Sequence, residues 1–396
     1  MIIRRKKLFS KTPDKIKPFP IKVYLTAVGI LAVCGILVSI YLFVSHYRVY
    51  TDIGYSSFCA ISKAINCDTV SQSPYSIFIG IPVSIWGILG YILLLVTLFL
   101  SFNPKSQKIS NLPTLFMTAM VFSAMSIFLG AVSAFKIHSY CLMCVVTYAI
   151  NFILLYMIWL IKQRFEKKTW GALAKENFVF WKQNRNKAFR FYSPIILIIL
   201  LLIVFLPDYW NITATDSGRQ DIKTGITEDG DPWIGAETPE LTIIEYSDYM
   251  CFQCKKMHFF LRNLITRYPN KIRLVHRHYP MDQKYNPVLK EDLHPGSGVL
   301  SLIAVYAARE NKFWAVNDYL YDYSVNKAIY LRQIAEGSGL HLDHLKTGIH
   351  APEIIKKLKK DILSGMKANI IGTPSYIIDK KLYAGQIPPE ILKSLE

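Results

Sequence analysis

Long apolar runs constrain this chain more than any other feature. They cover residues 23–45, 77–100, 113–135 and 141–161. Each is close to the roughly 20 residues a helix needs to cross a bilayer core. Lipid offers backbone groups no partners, so such runs must satisfy their own hydrogen bonds as helices. Net charge is +18, and most of it sits beside these runs: +7 in residues 1–22, +7 in residues 162–192, and Lys105 and Lys108 between the second and third runs. Basic residues in that position set membrane orientation. They place the tail 1–22 and the loops 102–112 and 162–192 in the cytoplasm, and the loops 46–75 and 136–140 outside. A nucleic-acid surface would need a basic face on a folded domain, which this distribution does not supply. The expected partner is membrane lipid, with no nucleic acid.

The run after the basic tail is too long for a cleaved signal peptide. Within 162–192, residues 170–188 read as a short surface helix. Residues 193–207 are apolar but short, with Phe189, Phe191 and Tyr192 before them and Tyr209 and Trp210 after them as an interface belt. They read as a fifth span, which puts everything beyond outside the membrane. Residues 208–232 form a polar linker, in which Asn211-Ile212-Thr213 matches a glycosylation sequon without further support.

From residue 233 the pattern changes to a water-soluble α/β domain. Leu241 to Tyr246 is a β-run, residues 271–279 a second strand, and residues 298–368 are mostly helical, broken at Gly337, Gly339 and Pro352. Gly372-Thr373-Pro374 leads into a third strand at Ser375–Ile378, followed by Leu382 to Ala384 and a last helix at 388–396.

Six of the seven cysteines fall into pairs: Cys59 with Cys67, Cys141 with Cys144, and Cys251 with Cys254. Cys34 is left over in the first apolar run, where it reads as a small packed residue. Cys141-Leu142-Met143-Cys144 opens the fourth run, so a dithiol sits at the mouth of a membrane helix. Cys251-Phe252-Gln253-Cys254 stands between a strand and a helix, the context that gives this spacing redox meaning. A cysteine at a helix N-terminus is favoured as thiolate by the free N–H groups and the helix dipole. A thiolate attacks disulfides, and the second cysteine resolves the mixed disulfide. Counting spans places all three pairs on one side. Zinc is a poor alternative, since it leaves Cys59 and Cys67 unexplained and His258, His276, His278 and His294 show no paired ligand spacing. No metal is expected.

On Cys251 to Cys254, Gly372-Thr373-Pro374 and the intervening helices, residues 233–396 resemble a thioredoxin-fold domain of the DsbA kind, with a helical insertion at about 293–368. The family often has Pro-His between its cysteines, and here the dipeptide is Phe252-Gln253. Residues 23–161 resemble the vitamin K epoxide reductase (VKOR) family. The loop pair Cys59 and Cys67, Ser76-Ile77-Phe78, and the fourth-run opening Cys141 to Asn151 carry this likeness. The implied fold is an α-helical membrane bundle, a four-helix VKOR core plus a fifth transmembrane helix, followed by an α/β thioredoxin-fold domain. The implied activity is quinone-dependent thiol oxidation for disulfide-bond formation, in a bacterial inner membrane with the thioredoxin domain periplasmic. Reduced secreted or periplasmic proteins would pass electrons to Cys251–Cys254, then to Cys59–Cys67, then to Cys141–Cys144, and finally to ubiquinone or menaquinone. By the same resemblance Cys144 reduces the quinone, Cys141 exchanges with the loop through Cys67, and Pro374 presents backbone to the substrate. Tyr148 lies four residues after Cys144 on the same helix face and can donate to a quinone oxygen. Ser76 and Tyr75 are further quinone contacts by place in the family.

Two other functions compete. A transmembrane reductant carrier feeding a reducing or isomerising domain would need a dithiol reachable from the cytoplasm, and the basic segments hold no cysteine. A membrane receptor with structural disulfides would need neither the Thr373-Pro374 loop nor a dithiol at the bilayer surface.

Overall fold

The computed structural model describes residues 19–62, 64–103, 108–109, 111–183, 185–210, 222–324 and 328–393. The basic tail through residue 18 and the sequon at Asn211 lie outside the described residues. The chain divides into two compact units, Met1–His46 with Ser57–Pro207, and Tyr47–Ser56 with Asp208–Glu396.

The apolar runs of the first unit are helices. They are α1 (Ile21–Thr51), α3 (Val83–Ser101), α4 (Leu112–Val132) with a final π turn at Ser133–Ile137, and α5 (Leu142–Phe165). A short helix, α2 (Cys67–Ser71), lies between α1 and α3. Of these, α1, α4 with its π turn, and α5 are long and apolar enough to cross a membrane. The apolar stretch of α3, Val83–Phe99, measures about 26 Å at the usual helical rise, slightly under a bilayer core. Close approach of helices depends on glycine: a Cβ on Gly35 would collide with the ring of Tyr91, and one on Gly90 with the ring of Phe122. Asn151, a polar break in the fourth run, has partners on both neighbouring helices. Its Oδ1 accepts from Tyr91 Oη (2.5 Å) and its Nδ2 donates to Ser126 Oγ (2.9 Å). Thr147 instead donates within its own helix, to the Met143 carbonyl at 3.0 Å.

Three stretches differ from expectation. Residues 77–82 do not begin the second span. They form a hairpin of β1 (Ile77–Phe78) and β2 (Ile81–Pro82), and the helix starts at Val83. The two turn residues, Ile79 and Gly80, have φ of 51° and 69°, and this left-handed pair favours a tight hairpin over a helix. The loop to α4 carries a small ribbon, β3 (Phe102–Asn103) and β4 (Lys108–Ile109). Residues 193–207 are not a separate segment. They continue α7 (Arg185–Phe205), which follows α6 (Trp170–Gln183), because no glycine interrupts the chain there and Pro194 removes only one backbone hydrogen bond. The apolar part of α7, Ser193–Phe205, spans about 20 Å, short of a bilayer core. α6 packs on α4 through stacked Trp170 and Phe116 rings, 4.2 Å apart, and Asn177 donating to Thr114 Oγ1 at 2.7 Å.

The second unit is built on a six-stranded sheet in the order β10-β9-β7-β8-β6-β5. Its strands are β5 (Thr224–Ile226), β6 (Pro232–Gly235), β7 (Leu241–Ser247), β8 (Ile272–His278), β9 (Ser375–Ile378) and β10 (Lys381–Ala384). β7 and β8 run parallel, joined by α8 (Phe252–Arg267). β5 and β6 take up part of the stretch read as linker. Asp231, 1% exposed, anchors it by ion pairs to Arg277 (2.7 Å) and Lys357 (2.8 Å). The insertion comprises α9 (Ser297–Arg309), α10 (Phe313–Ser324), α11 (Leu331–Ser338), α12 (Leu342–Gly348) and α13 (Pro352–Lys367), and α14 (Pro389–Lys393) follows the sheet. Gly339 with φ 69° ends α11, and Pro352 opens α13. β9 pairs with β7 so that Ser375 lies opposite Tyr246, which sets the Thr373-Pro374 loop beside the end of β7.

Replacing Asn151 by Leu leaves Tyr91 Oη buried without its acceptor, at a cost of about 1–3 kcal/mol. In detergent the melting temperature should fall by several degrees, while Thr147→Val should change it little. Equal melting temperatures would contradict the shared role of Asn151.

Candidate active site

The first unit gathers three cysteines through its backbone. Ile65 forms a bridge to Tyr140, with Asn66 N–H donating to Tyr140 O (3.0 Å) and Tyr140 N–H to Ala64 O (2.8 Å). Asn66 then caps α2, its Oδ1 accepting from the N–H groups of Asp68 (2.9 Å) and Thr69 (3.1 Å). Cys67 is thus the first residue of α2, two positions past the bridge, and Cys141 is one position past it on the other strand. Cys59 is disulfide-bonded to Cys67. Cys59, Cys67 and Cys141 share one buried cluster, with Leu42, Val70, Met143 and Cys144 packed against it.

Cys141 occupies the N-cap of α5, where its Sγ accepts the Cys144 N–H at 3.2 Å. Cys251 does the same at the N-cap of α8, its Sγ accepting the Cys254 N–H at 3.2 Å. The cap dihedrals are alike, φ −92° and ψ 117° against φ −82° and ψ 117°. All four of these cysteines are free thiols.

In the second unit Cys251 Sγ also lies 3.5 Å from the Thr373 carbonyl, to which the thiol donates. The Thr373-Pro374 bond is cis, and the Pro374 carbonyl accepts from Gly385 N–H at 2.8 Å. Burial pushes the Cys251 thiol up. The hydrogen bond with Cys254 and a nearby histidine outweigh that and hold it below its usual value. Burial and the shared hydrogen bond drive Cys254 well above its usual value. One sulfur is poised as nucleophile and leaving group, and the other stays protonated. On neighbouring strands β7 and β8, Glu245 Oε1 contacts His276 Nδ1 at 2.7 Å, with both side chains buried.

Of the expected quinone contacts, Tyr148 lies on α5, and Tyr75 and Ser76 lie in the short turn Pro74–Ser76. Tyr148 is half-buried one turn beyond Cys144 and faces Gly130 of α4. Ser76 donates to the Ser73 carbonyl (2.8 Å) and pairs with His46 Nε2 (3.2 Å). Tyr75 is exposed. Among the described residues no hydrogen bond joins Tyr148 to Ser76 or Tyr75. His46 was not singled out from the sequence, since nothing local marks a histidine at the end of an apolar run. Asp248 and His294 were also missed as a pair. His294 Nδ1 stands 3.2 Å from Asp248 Oδ2, across a separation no spacing rule covers. Among the described residues no group of three His, Cys, Asp or Glu is placed to hold a metal ion.

Residues 26–159 match the Vitamin K epoxide reductase family, and residues 227–395 match the Thioredoxin family. Curated relatives include the Na(+)/H(+) antiporter NhaA 3 of Salinispora tropica, 23% identical over 46% of this chain and 27% of that protein. NhaA 1 of Salinispora arenicola is 24% identical over the same shares. The chain thus spans about a quarter of the length of these relatives. Similar solved structures include a thioredoxin-like oxidoreductase from Silicibacter pomeroyi, 23% identical over 43% of this chain and 91% of that one, TM-score 0.35. BdbD from Bacillus subtilis is 18% identical over 44% and 97%, TM-score 0.35.

With the protein reduced, a limiting amount of iodoacetamide at pH 7 should modify Cys251 at least about tenfold faster than Cys254, because thiolate rather than thiol reacts. The Cys251 rate should persist below the usual thiol range near pH 8.5. Equal rates by peptide mass spectrometry would contradict the assignment.

Proposed function

Because the chain carries a vitamin K epoxide reductase domain followed by a thioredoxin-like domain, we propose that it oxidises protein thiols to disulfides and delivers the electrons to a membrane quinone. The observation that carries this reading is the buried cluster of Cys59, Cys67 and Cys141 with Cys144 packed against it. A disulfide lies beside a helix-capping thiol there, and the second thiol of that motif stands one turn further along an apolar helix.

Substrate proteins reduce the Cys251–Cys254 disulfide. The resulting dithiol reduces Cys59–Cys67, and that pair in turn reduces Cys141–Cys144. At each step a thiolate attacks one sulfur of the acceptor disulfide and the other sulfur leaves. The donor's second thiolate then resolves the mixed disulfide, so the donor ends as a disulfide and the acceptor as two thiols. Two electrons and two protons move per cycle. Cys144 passes the electrons to the quinone, ubiquinone or menaquinone, and is left as the Cys141–Cys144 disulfide. The Ile65–Tyr140 bridge favours Cys67 as the partner of Cys141. Tyr148, on the Cys144 face of α5, is the proposed donor to a quinone oxygen, with Ser76 and Tyr75 as further contacts. Pro374 presents the loop that meets an extended substrate segment.

The proposed location is a bacterial inner membrane with the tail cytoplasmic and the thioredoxin unit periplasmic. Basic segments beside the apolar helices support that orientation. The α7 helix would form the fifth crossing, its basic first turns extending it beyond the short apolar core.

Purified protein with a soluble quinone analogue should oxidise a reduced dithiol peptide over many turnovers, and Cys144→Ser should stop quinone reduction. Undiminished turnover in Cys144→Ser would overturn the relay.

A further inference from the structure

The dipeptide between Cys251 and Cys254 is Phe252-Gln253 and carries no charge. Three residues before Cys251 stands an anion. The Asp248 side chain is fully buried, its Oδ1 accepting from Met250 N–H (2.7 Å) and its Oδ2 from Met281 N–H (2.6 Å). Its own carbonyl accepts the Cys251 N–H at 3.2 Å, so this carboxylate is built into the turn that presents the nucleophile. A buried negative charge there opposes a thiolate at Cys251, and a buried charge without a partner is costly.

The partner comes from the loop between β8 and α9. His294 Nδ1 is buried and lies 3.2 Å from Asp248 Oδ2, while 30% of the side chain is exposed. The loop is fixed on both flanks. Leu293 and His294 N–H groups donate to the Met281 carbonyl at 3.1 and 2.9 Å, and Asp282 Oδ2 accepts from Gly296 (3.0 Å) and Gly298 (3.2 Å). Among the described residues, the titratable groups facing Cys251 are Cys254 on α8, Asp248 on the turn before it, His294, and the buried phenol of Tyr376 on β9, which is neutral when protonated. The Thr373-Pro374 loop adds a carbonyl and no charge.

We propose that His294 is the electrostatic partner of the Cys251 sulfur: held by Asp248, its imidazolium neutralises that carboxylate and favours Cys251 as thiolate, supplying from a distant loop the cation that the Phe252-Gln253 dipeptide lacks. Burial lowers the His294 affinity for its proton, but Asp248 and Cys251 overcome that and raise it above the usual value. His294 touches no reacting atom and acts through Cys251, so it is a positioning residue. Its consequence is directional. When a substrate thiolate attacks the Cys251–Cys254 disulfide, the stabilised Cys251 thiolate is the product of substrate release, so His294 makes the domain more oxidising. The inference rests on the thiol-exchange reading of the thioredoxin unit and not on the quinone step.

The test uses the full chain in detergent, reduced, with Cys251 alkylation by iodoacetamide followed against pH. His294→Gln should move the Cys251 profile upward by about one pH unit, slowing alkylation about tenfold at pH 6, and should make the Cys251–Cys254 pair less oxidising against glutathione. His294→Lys should restore the wild-type reactivity, which a packing role would not do. Superimposed wild-type and His294→Gln profiles, or a His294→Lys profile matching Gln, overturn the proposal. If the variants do not fold, wild type alone decides: diethyl pyrocarbonate should modify His294 at lower pH in the oxidised than in the reduced protein, and an unchanged profile overturns it. A wild-type protein unable to exchange disulfides with glutathione overturns the thiol-exchange reading itself, and this inference with it.

Discussion

A cysteine sulfur accepting a free N–H at a helix start is the contact on which both dithiols depend. The first turn of a helix leaves N–H groups without backbone acceptors, and their dipoles favour negative charge. Cys141 and Cys251 each take the N-cap, and each receives the N–H of the cysteine three residues on at 3.2 Å. The same contact therefore fixes the spacing of each pair and caps its helix, and at Cys251 it is one of the groups that favour thiolate. It arises in two unlike settings. For Cys251 the lead-in is a sheet strand whose end is buttressed by Asp248. For Cys141 it is a single backbone bridge to the loop that holds Cys67.

The surroundings separate the two roles. Around Cys251 there are charged and polar groups: the partly exposed His294, the buried Asp248 carboxylate and the Thr373 carbonyl. Around Cys141 there are sulfur atoms and aliphatic side chains, with Ser57 Oγ 3.5 Å from Cys59 Sγ and the Asp68 carboxylate accepting from Ser57 N–H at 3.0 Å. Polar contacts deeper in the first unit, such as Asn151 with Tyr91 and Ser126, hold helices to one another. In the proposed relay, the Cys141 site serves exchange between neighbouring sulfurs.

Much of this was legible in the chain. The apolar runs gave the helices, and strand, Cys-x-x-Cys, helix and a distant Thr-Pro loop gave the second unit, because each rests on local periodicity or a turn-forming residue. The less legible parts depend on pairing across the chain. The hairpin at Ile77–Pro82 is hidden because its residues are as apolar as the helix that follows, and only the φ values of Ile79 and Gly80 separate them. β5 is too short and polar to stand out, and it is held by an ion-paired Asp231 whose partners come from β8 and α13. His294 reads as a loop residue until the loop returns to Asp248. Tyr148 is picked out by its helical spacing from Cys144, and Ser76 and Tyr75 by resemblance; no hydrogen bond among the described residues joins Tyr148 to the other two.

In the proposed relay, exchange between Cys67 and Cys141 is the step that joins two redox pairs into one path. It can be trapped in the full chain by replacing Cys59 and Cys144 with serine, which leaves each remaining sulfur without its resolving partner. After mild oxidation, the account predicts a Cys67–Cys141 disulfide as the main cross-link within the first unit, found as joined peptides by mass spectrometry. Cys67 and Cys141 remaining free thiols under those conditions would contradict it.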